Sequence, residues 1–400
     1  MTRVSDAERG RRWRLVLGGV VDDESGGRSQ SPVTSAPLSA DDQRLDGALA
    51  AIYDQRPAGS GRARGGGLGR SAPAVARWLG DIRRYFPSTV VQVMQRDAID
   101  RLDLRQLLFE PELLASVEPD VHLASLLVEL NHLLPDDTRA TARLVVRQVV
   151  DQLTARLAAR TRQAALGALA RSQRSRRPRP ADIDWMHTVQ ANLAHYQPQY
   201  RTVIPERLVG YGRRQRSLAR DVIVAIDQSG SMADSIVYAG VFGSVLASMP
   251  ALRTHVIAFD TAVTDLTAMA ADPVDVLFGV QLGGGTDIAQ ALGYCQRLVD
   301  RPAETVVVVI SDLFEGGDVG LLQARAAALV RSGVTLVALV TLSDEGAPAY
   351  DHAQVARFAE LGIPSLACTP DAFPDLFAAA LERRPLGPWA SDQPGVVAVH

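Results

Sequence analysis

The segment DVIVAIDQSGS, residues 221–231, decides how the rest of the chain is read. Val222 to Ile226 form a short apolar, mostly β-branched run that breaks abruptly into Asp227, Gln228, Ser229, Gly230 and Ser231. A run of this length bounded by turn residues fits a strand buried on both faces. Working outward, similar runs recur at 255–259, 305–310 and 335–341, separated by helical patterns near 235–249, 287–299, 321–331 and 353–361. Short strands alternating with helices predict an α/β fold with a doubly wound, mostly parallel sheet. Ile363 to Leu366 is expected to add a last strand and Ala372 to Arg383 a closing helix.

In such sheets ligands bind beyond the carboxyl ends of the strands, where strand order reverses. Three polar clusters fall at such positions. The first strand ends in Asp227, Ser229 and Ser231, with Gly230 expected to permit a tight turn; Gly283-Gly284-Gly285-Thr286-Asp287 opens a helix; Ser311-Asp312 follows the 305–310 strand. Together these residues resemble the metal-ion-dependent adhesion site of the von Willebrand factor A (VWA) domain, Asp-x-Ser-x-Ser with a distant Thr and a distant Asp, over about residues 221–384. The resemblance implies that Asp227, Ser229, Ser231, Thr286 and Asp312 hold Mg2+, with Mn2+ or Ca2+ as alternatives. Ser229, Ser231 and Thr286 would approach through hydroxyls, Asp227 and Asp312 directly or through water. An all-oxygen set suits a hard cation. With few direct carboxylate ligands the ion keeps positive charge and takes an Asp or Glu from a protein partner.

One stretch departs from the commonest VWA pattern. Asp312 is followed by Leu313-Phe314-Glu315-Gly316-Gly317, where many members have Gly directly after Asp. This stretch, and Gly284-Gly285-Thr286-Asp287, resemble the intracellular bacterial branch that includes CoxE-like proteins. That branch places a helical region before the VWA domain, and its members are associated with MoxR-type AAA+ ATPases in complex remodelling or metalloenzyme maturation. The resemblance implies a metal-dependent, protein-binding adaptor without enzymatic activity of its own.

The remainder of the 400 residues supports that layout. Residues 1–72 are rich in Gly, Ser, Pro, Asp and Arg and are expected to be mostly flexible. From 73 to 170 the spacing turns helical, cut by Pro87, Pro111, Pro119 and Pro135, with Asp136 or Asp137 and Thr138 suited to cap the longest helix. RSQRSRRPR, residues 171–179, reads as a linker, either a solvated connector or a contact for an acidic surface. Trp185, Tyr196, Tyr200 and Tyr211 follow in an arm extending to residue 220, and 385–400 reads as a tail.

Several function classes are disfavoured. The 42 basic and 45 acidic residues give a net charge of −3, so no global field draws the chain to nucleic acid. Every one of those basic residues is Arg; without Lys there is neither a P-loop nor Schiff-base chemistry. The apolar runs near 306–310 and 334–342 are at most about half of the ~20 residues a membrane helix needs. Arg9 to Val21 imitates a signal peptide but leads into Asp22, Asp23 and Glu24. Cys295 and Cys368 fit a reducing compartment, and the expected location is cytoplasmic, without membrane insertion. Glu129 and His132 form one Glu-x-x-His without a second copy, and the histidines lack zinc-hydrolase spacing. Two rivals remain: a metal-chelatase-type VWA subunit, and a metal-dependent hydrolase using Asp227 and Asp312. The hydrolase lacks a general base in the motif loops.

Overall fold

The computed structural model describes residues 86–102, 117–172, 174–175, 183–211, 220–279, 284–342 and 349–399, with scattered residues between 39 and 115. The expectations for residues 1–72, apart from a few isolated positions, and for most of the Arg-rich run lie outside the described residues. By internal contacts the chain forms two units, residues 1–127 with 133–146, and 128–132 with 147–400.

The first unit is helical. Helices α1 (Ser88–Leu102), α2 (Val121–Glu129) and α3 (Asp136–Ser172) follow the expected period, and the division between units falls inside α3. Pro135 immediately precedes α3, and Asp136 and Asp137 in its first turn complement the positive end of the helix dipole. Buried Gln95 clamps the chain ahead of α2, accepting from Glu118 N at 2.9 Å and donating to Glu118 O at 3.2 Å.

The arm lies in the second unit and buries polar rather than large apolar side chains. Helix α4 (Trp185–Ala191) buries polar Thr188, which together with buried Asn192 bonds the backbone of 206–209. The large apolar side chains face out instead: Trp185 is 58% and Tyr200 74% exposed. The linker is tied to the arm by antiparallel pairing of Arg174–Ser175 with Gly210–Tyr211.

Seven strands then form one sheet: β1 (Arg220–Asp227), β2 (Leu252–Phe259), β3 (Val263–Asp265), β4 (Thr305–Ile310), β5 (Thr335–Leu342), β6 (Ser365–Cys368) and β7 (Val396–Ala398), in the order β7-β6-β5-β4-β1-β2-β3. The five inner strands are parallel; β3 and β7 are antiparallel edges. This is the doubly wound α/β sheet that the alternating runs predict. Residues 385–400, expected as a tail, differ: a short helix and β7 pack there, and β7 closes the edge beside β6.

On one face Ile223, Ala225, Val307 and Val309 meet α7 (Ile288–Leu298), α8 (Val319–Ser332) and α9 (His352–Glu360). Period-two alternation turns the other strand residues toward α5 (Ala233–Ala247) and α10 (Phe373–Leu381), which meet through Phe242 and Phe373. The short α6 (Pro273–Gly279) packs on α5. Residues 235–246 of α5 are all buried. The stretch Gly230–Ala247 is apolar enough to cross a membrane by composition, and 72% of it lies inside the fold. Asp287, Asp318 and Asp351 cap α7, α8 and α9, each accepting a backbone N–H three residues on.

Since β1 lies between β4 and β2, the chain leaves it in opposite directions, and the reversal falls between β1 and β4. Asp227 and Asp312 emerge there.

Candidate metal centre

The ladder sets the site's floor. Gln228 N bonds Phe259 O at 2.9 Å and Ser311 N bonds Leu339 O at 2.9 Å, so β1 stays paired with β2, and β4 with β5, up to the point where their polar ends begin. Asp227 Oδ1 accepts Ser229 N at 2.9 Å, which bends the chain into the turn Gly230–Met232 and then α5. Ser229 and Ser231 lie Oγ to Oγ at 3.1 Å, and Ser231 donates to Asp312 Oδ2 at 2.5 Å. Ser311 donates to Asp227 Oδ2 at 2.6 Å and accepts Leu313 N at 3.0 Å. Four of the five sequence-derived residues therefore form one hydrogen-bonded set. The fifth, Thr286, is buried in the neighbouring loop, its carbonyl accepting Gly316 N at 2.8 Å.

Asp227 is fully buried and Asp312 is 4% exposed, while Ser231 above them is open to solvent. Burial pushes the Asp227 carboxyl up to about 6; the hydrogen bond from Ser311 pulls it down and the charge of Asp312 adds to the rise. Among the described residues no Arg or His hydrogen-bonds either carboxylate. Two adjacent buried acids without a cationic partner are unfavourable when ionised. Among the described residues no three His, Cys, Asp or Glu gather into a metal-binding group, so the donor set is hydroxyls with two carboxylates. Each serine has one proton and two lone pairs, so donation to Asp312 leaves Ser231 able to coordinate through oxygen. The chemistry fits a small hard cation and fits zinc poorly.

Two neighbours of these residues carry roles that sequence spacing does not reveal. Ser311 orients Asp227 from the next strand, 84 residues away. Glu315 is half-buried and accepts Ile288 N at 2.9 Å and Ala289 N at 3.2 Å at the start of α7. Asp287 is the cap of that helix rather than part of the polar set. A Cβ at Gly230 would meet nothing within 4 Å and the backbone there is not left-handed, so the turn does not demand glycine. Leu313 does adopt φ 65°, held by its buried side chain. Cys295 and Cys368 are buried with thiols pushed up to about 12 by desolvation, as inert core residues should be.

Gly316 links the Thr286 loop to the Asp312 loop and offers a test. A Cβ there would lie 2.9 Å from the Thr286 carbonyl, so backbone must shift. Gly316→Ala is expected to destabilise by about 1–3 kcal/mol and to weaken cation binding; urea unfolding with and without Mg2+ checks both.

Residues 157–376 match the family model described as VWA domain containing CoxE-like protein. The uncharacterized protein YehP of Escherichia coli K12 is 35% identical over 361 residues, spanning 90% of this chain and 93% of that protein. Among solved structures, an aerotolerance-related membrane protein from Bacteroides fragilis aligns at 17% identity over 41% of this chain and 98% of that one, with a TM-score of 0.34. A von Willebrand factor type A structure from Catenulispora acidiphila aligns at 15% identity over 42% of this chain and 43% of that one, with a TM-score of 0.32.

Proposed function

The chain belongs to the VWA-domain CoxE-like family, and on that premise we propose that it is a cytoplasmic, non-enzymatic adaptor whose Asp227, Ser229, Ser231, Thr286 and Asp312 hold Mg2+ to grip an acidic residue of a partner protein. The partner we propose is a MoxR-type AAA+ ATPase or its client, in complex remodelling or metalloenzyme maturation. The observation that carries the reading is the pair of buried carboxylates, Asp227 and Asp312, with no cationic hydrogen-bond partner among the described residues, beneath the hydroxyls of half-buried Ser229 and exposed Ser231.

Asp227 and Asp312 supply the negative charge, and Ser229, Ser231 and Thr286 supply neutral oxygens. The bound ion supplies an open coordination position for an outside carboxylate. Ser311 fixes the rotamer of Asp227, and the backbone bond between Gly316 and Thr286 keeps the third ligand loop near. Exposed Phe314 stands directly after Leu313 on the same loop. Nothing in this arrangement requires bond breaking, and no side chain in the set is a histidine or lysine suited to act as a general base near neutral pH.

The test is a native-lysate pull-down with wild type in Mg2+, wild type in EDTA, and Asp227→Ala in Mg2+. A AAA+ ATPase retained only by wild type in Mg2+ is the expected result. Retention in all three lanes would separate the interaction from the metal centre, and turnover lost in Asp227→Ala would favour the hydrolase instead.

A further inference from the structure

Glu315 lies outside the five proposed ligands, yet its carboxylate joins the two loops that carry the distant ones. Oε2 accepts Ile288 N at 2.9 Å and Ala289 N at 3.2 Å, directly after the Thr286 loop; Oε1 accepts Gly317 N at 2.8 Å within its own loop. The same junction carries Gly316 N to Thr286 O at 2.8 Å, and Asp287 N to Asp260 O at 2.8 Å secures the far side.

The glycines around it are shaped for this clasp. A Cβ at 317 would stand 2.7 Å from Glu315 Oε1 and 3.4 Å from Asp287 Cγ, and one at 316 would press on the Thr286 carbonyl. The Gly-Gly pair after Glu315 thus admits a carboxylate and a close backbone approach that larger residues would block. Leu313, buried at φ 65°, anchors the other end of the segment.

We propose that Glu315 is a positioning residue that fixes the spacing between the Thr286 and Asp312 loops, and so makes the centre selective for Mg2+ over Ca2+. The inference rests on the metal-binding reading above. Mg2+ demands near-ideal octahedral geometry at about 2.0–2.1 Å, whereas Ca2+ accepts longer bonds and irregular shells. A clasp that prevents the loops from separating favours the smaller ion. Loosening it should cost Mg2+ binding more than Ca2+ binding.

The experiment is calorimetric titration of EDTA-stripped full-length protein with MgCl2 and, separately, CaCl2. Four proteins are compared: wild type, Asp227→Ala, Glu315→Gln and Glu315→Ala. Glu315→Gln keeps the size and one acceptor, so the chain remains folded while the charge and one bond are lost. The expected result is Mg2+ affinity reduced about 10-fold or more in both Glu315 variants, with Ca2+ affinity within about 3-fold of wild type. Equal losses for both ions would overturn the selectivity role, and unchanged Mg2+ affinity would overturn the clasp. Wild type binding neither ion would sink the metal reading and this inference with it, whereas binding abolished in Asp227→Ala but unchanged in both Glu315 variants would keep the first and overturn the second.

Discussion

Asp227→Asn is expected to stabilise the metal-free protein near pH 7.5 and to abolish its response to magnesium. The carboxyl of Asp227 is buried, and desolvation raises it from 3.8 to about 6. A folded-state value above the unfolded one means that folding disfavours the ionised form, so the group's cost to stability grows as pH rises from about 4 and is complete above about 6. That rise corresponds to at most about 3 kcal/mol. Asparagine keeps the shape, still accepts Ser229 N and can bond Ser311, without the charge. In EDTA the variant should therefore be about 1–3 kcal/mol more stable than wild type at pH 7.5. The difference should shrink as pH falls through about 6 toward 4, because the folded wild type then takes up the proton. With Mg2+ at about 100 times its dissociation constant wild type alone gains about 2.7 kcal/mol, which cancels most of that advantage or reverses it. Urea unfolding at pH 7.5 and pH 5, in EDTA and in Mg2+, measures each part. A variant less stable than wild type in EDTA would show that the charge serves the fold instead.

The legible parts of this protein are those written locally. Val222 to Ile226 and Thr305 to Ile310 announce buried strands because both faces need apolar cover, and Asp227 and Ser311-Asp312 are conspicuous because each ends such a run. Pro135 and Asp136 mark the start of α3 for equally local reasons. What escapes such reading depends on partners far along the chain. The bond from Ser311 to Asp227 spans 84 residues and the Glu315 cap of α7 spans 27, so neither has a periodic signature. Residues 396–398 form β7 only because β6 offers an open edge, which no pattern within that short stretch can announce. The arm is the opposite case. Its aromatic residues are legible but their packing is not, because Thr188 and Asn192 satisfy the backbone of 206–209 and leave the apolar face outward.

Asp221→Ala is expected to be the most damaging single change far from the metal centre. Asp221 starts β1 at the end of the strand opposite Asp227, and its side chain is 2% exposed. Its oxygens take Arg253 Nε and Nη2 at 2.8 and 3.1 Å, and Arg301 Nη2 and Nε at 2.8 and 3.2 Å. The two guanidiniums come from β2 and from the loop before β4, so one carboxylate fastens both neighbours of β1. Removing one partner of a buried pair costs about 3–5 kcal/mol when the charge left behind stays buried. Here both arginines are partly exposed and can rehydrate, so about 2–4 kcal/mol is expected. Asp221→Asn should cost less, because it still accepts from one arginine. Since the lesion lies at the far end of β1, the stabilisation gained from Mg2+ should remain, measured as the difference in urea midpoint with and without the ion. Loss of that gain in Asp221→Ala would mean that the alignment of β1 with β2 and β4 is itself needed to hold Asp227 and Asp312 together.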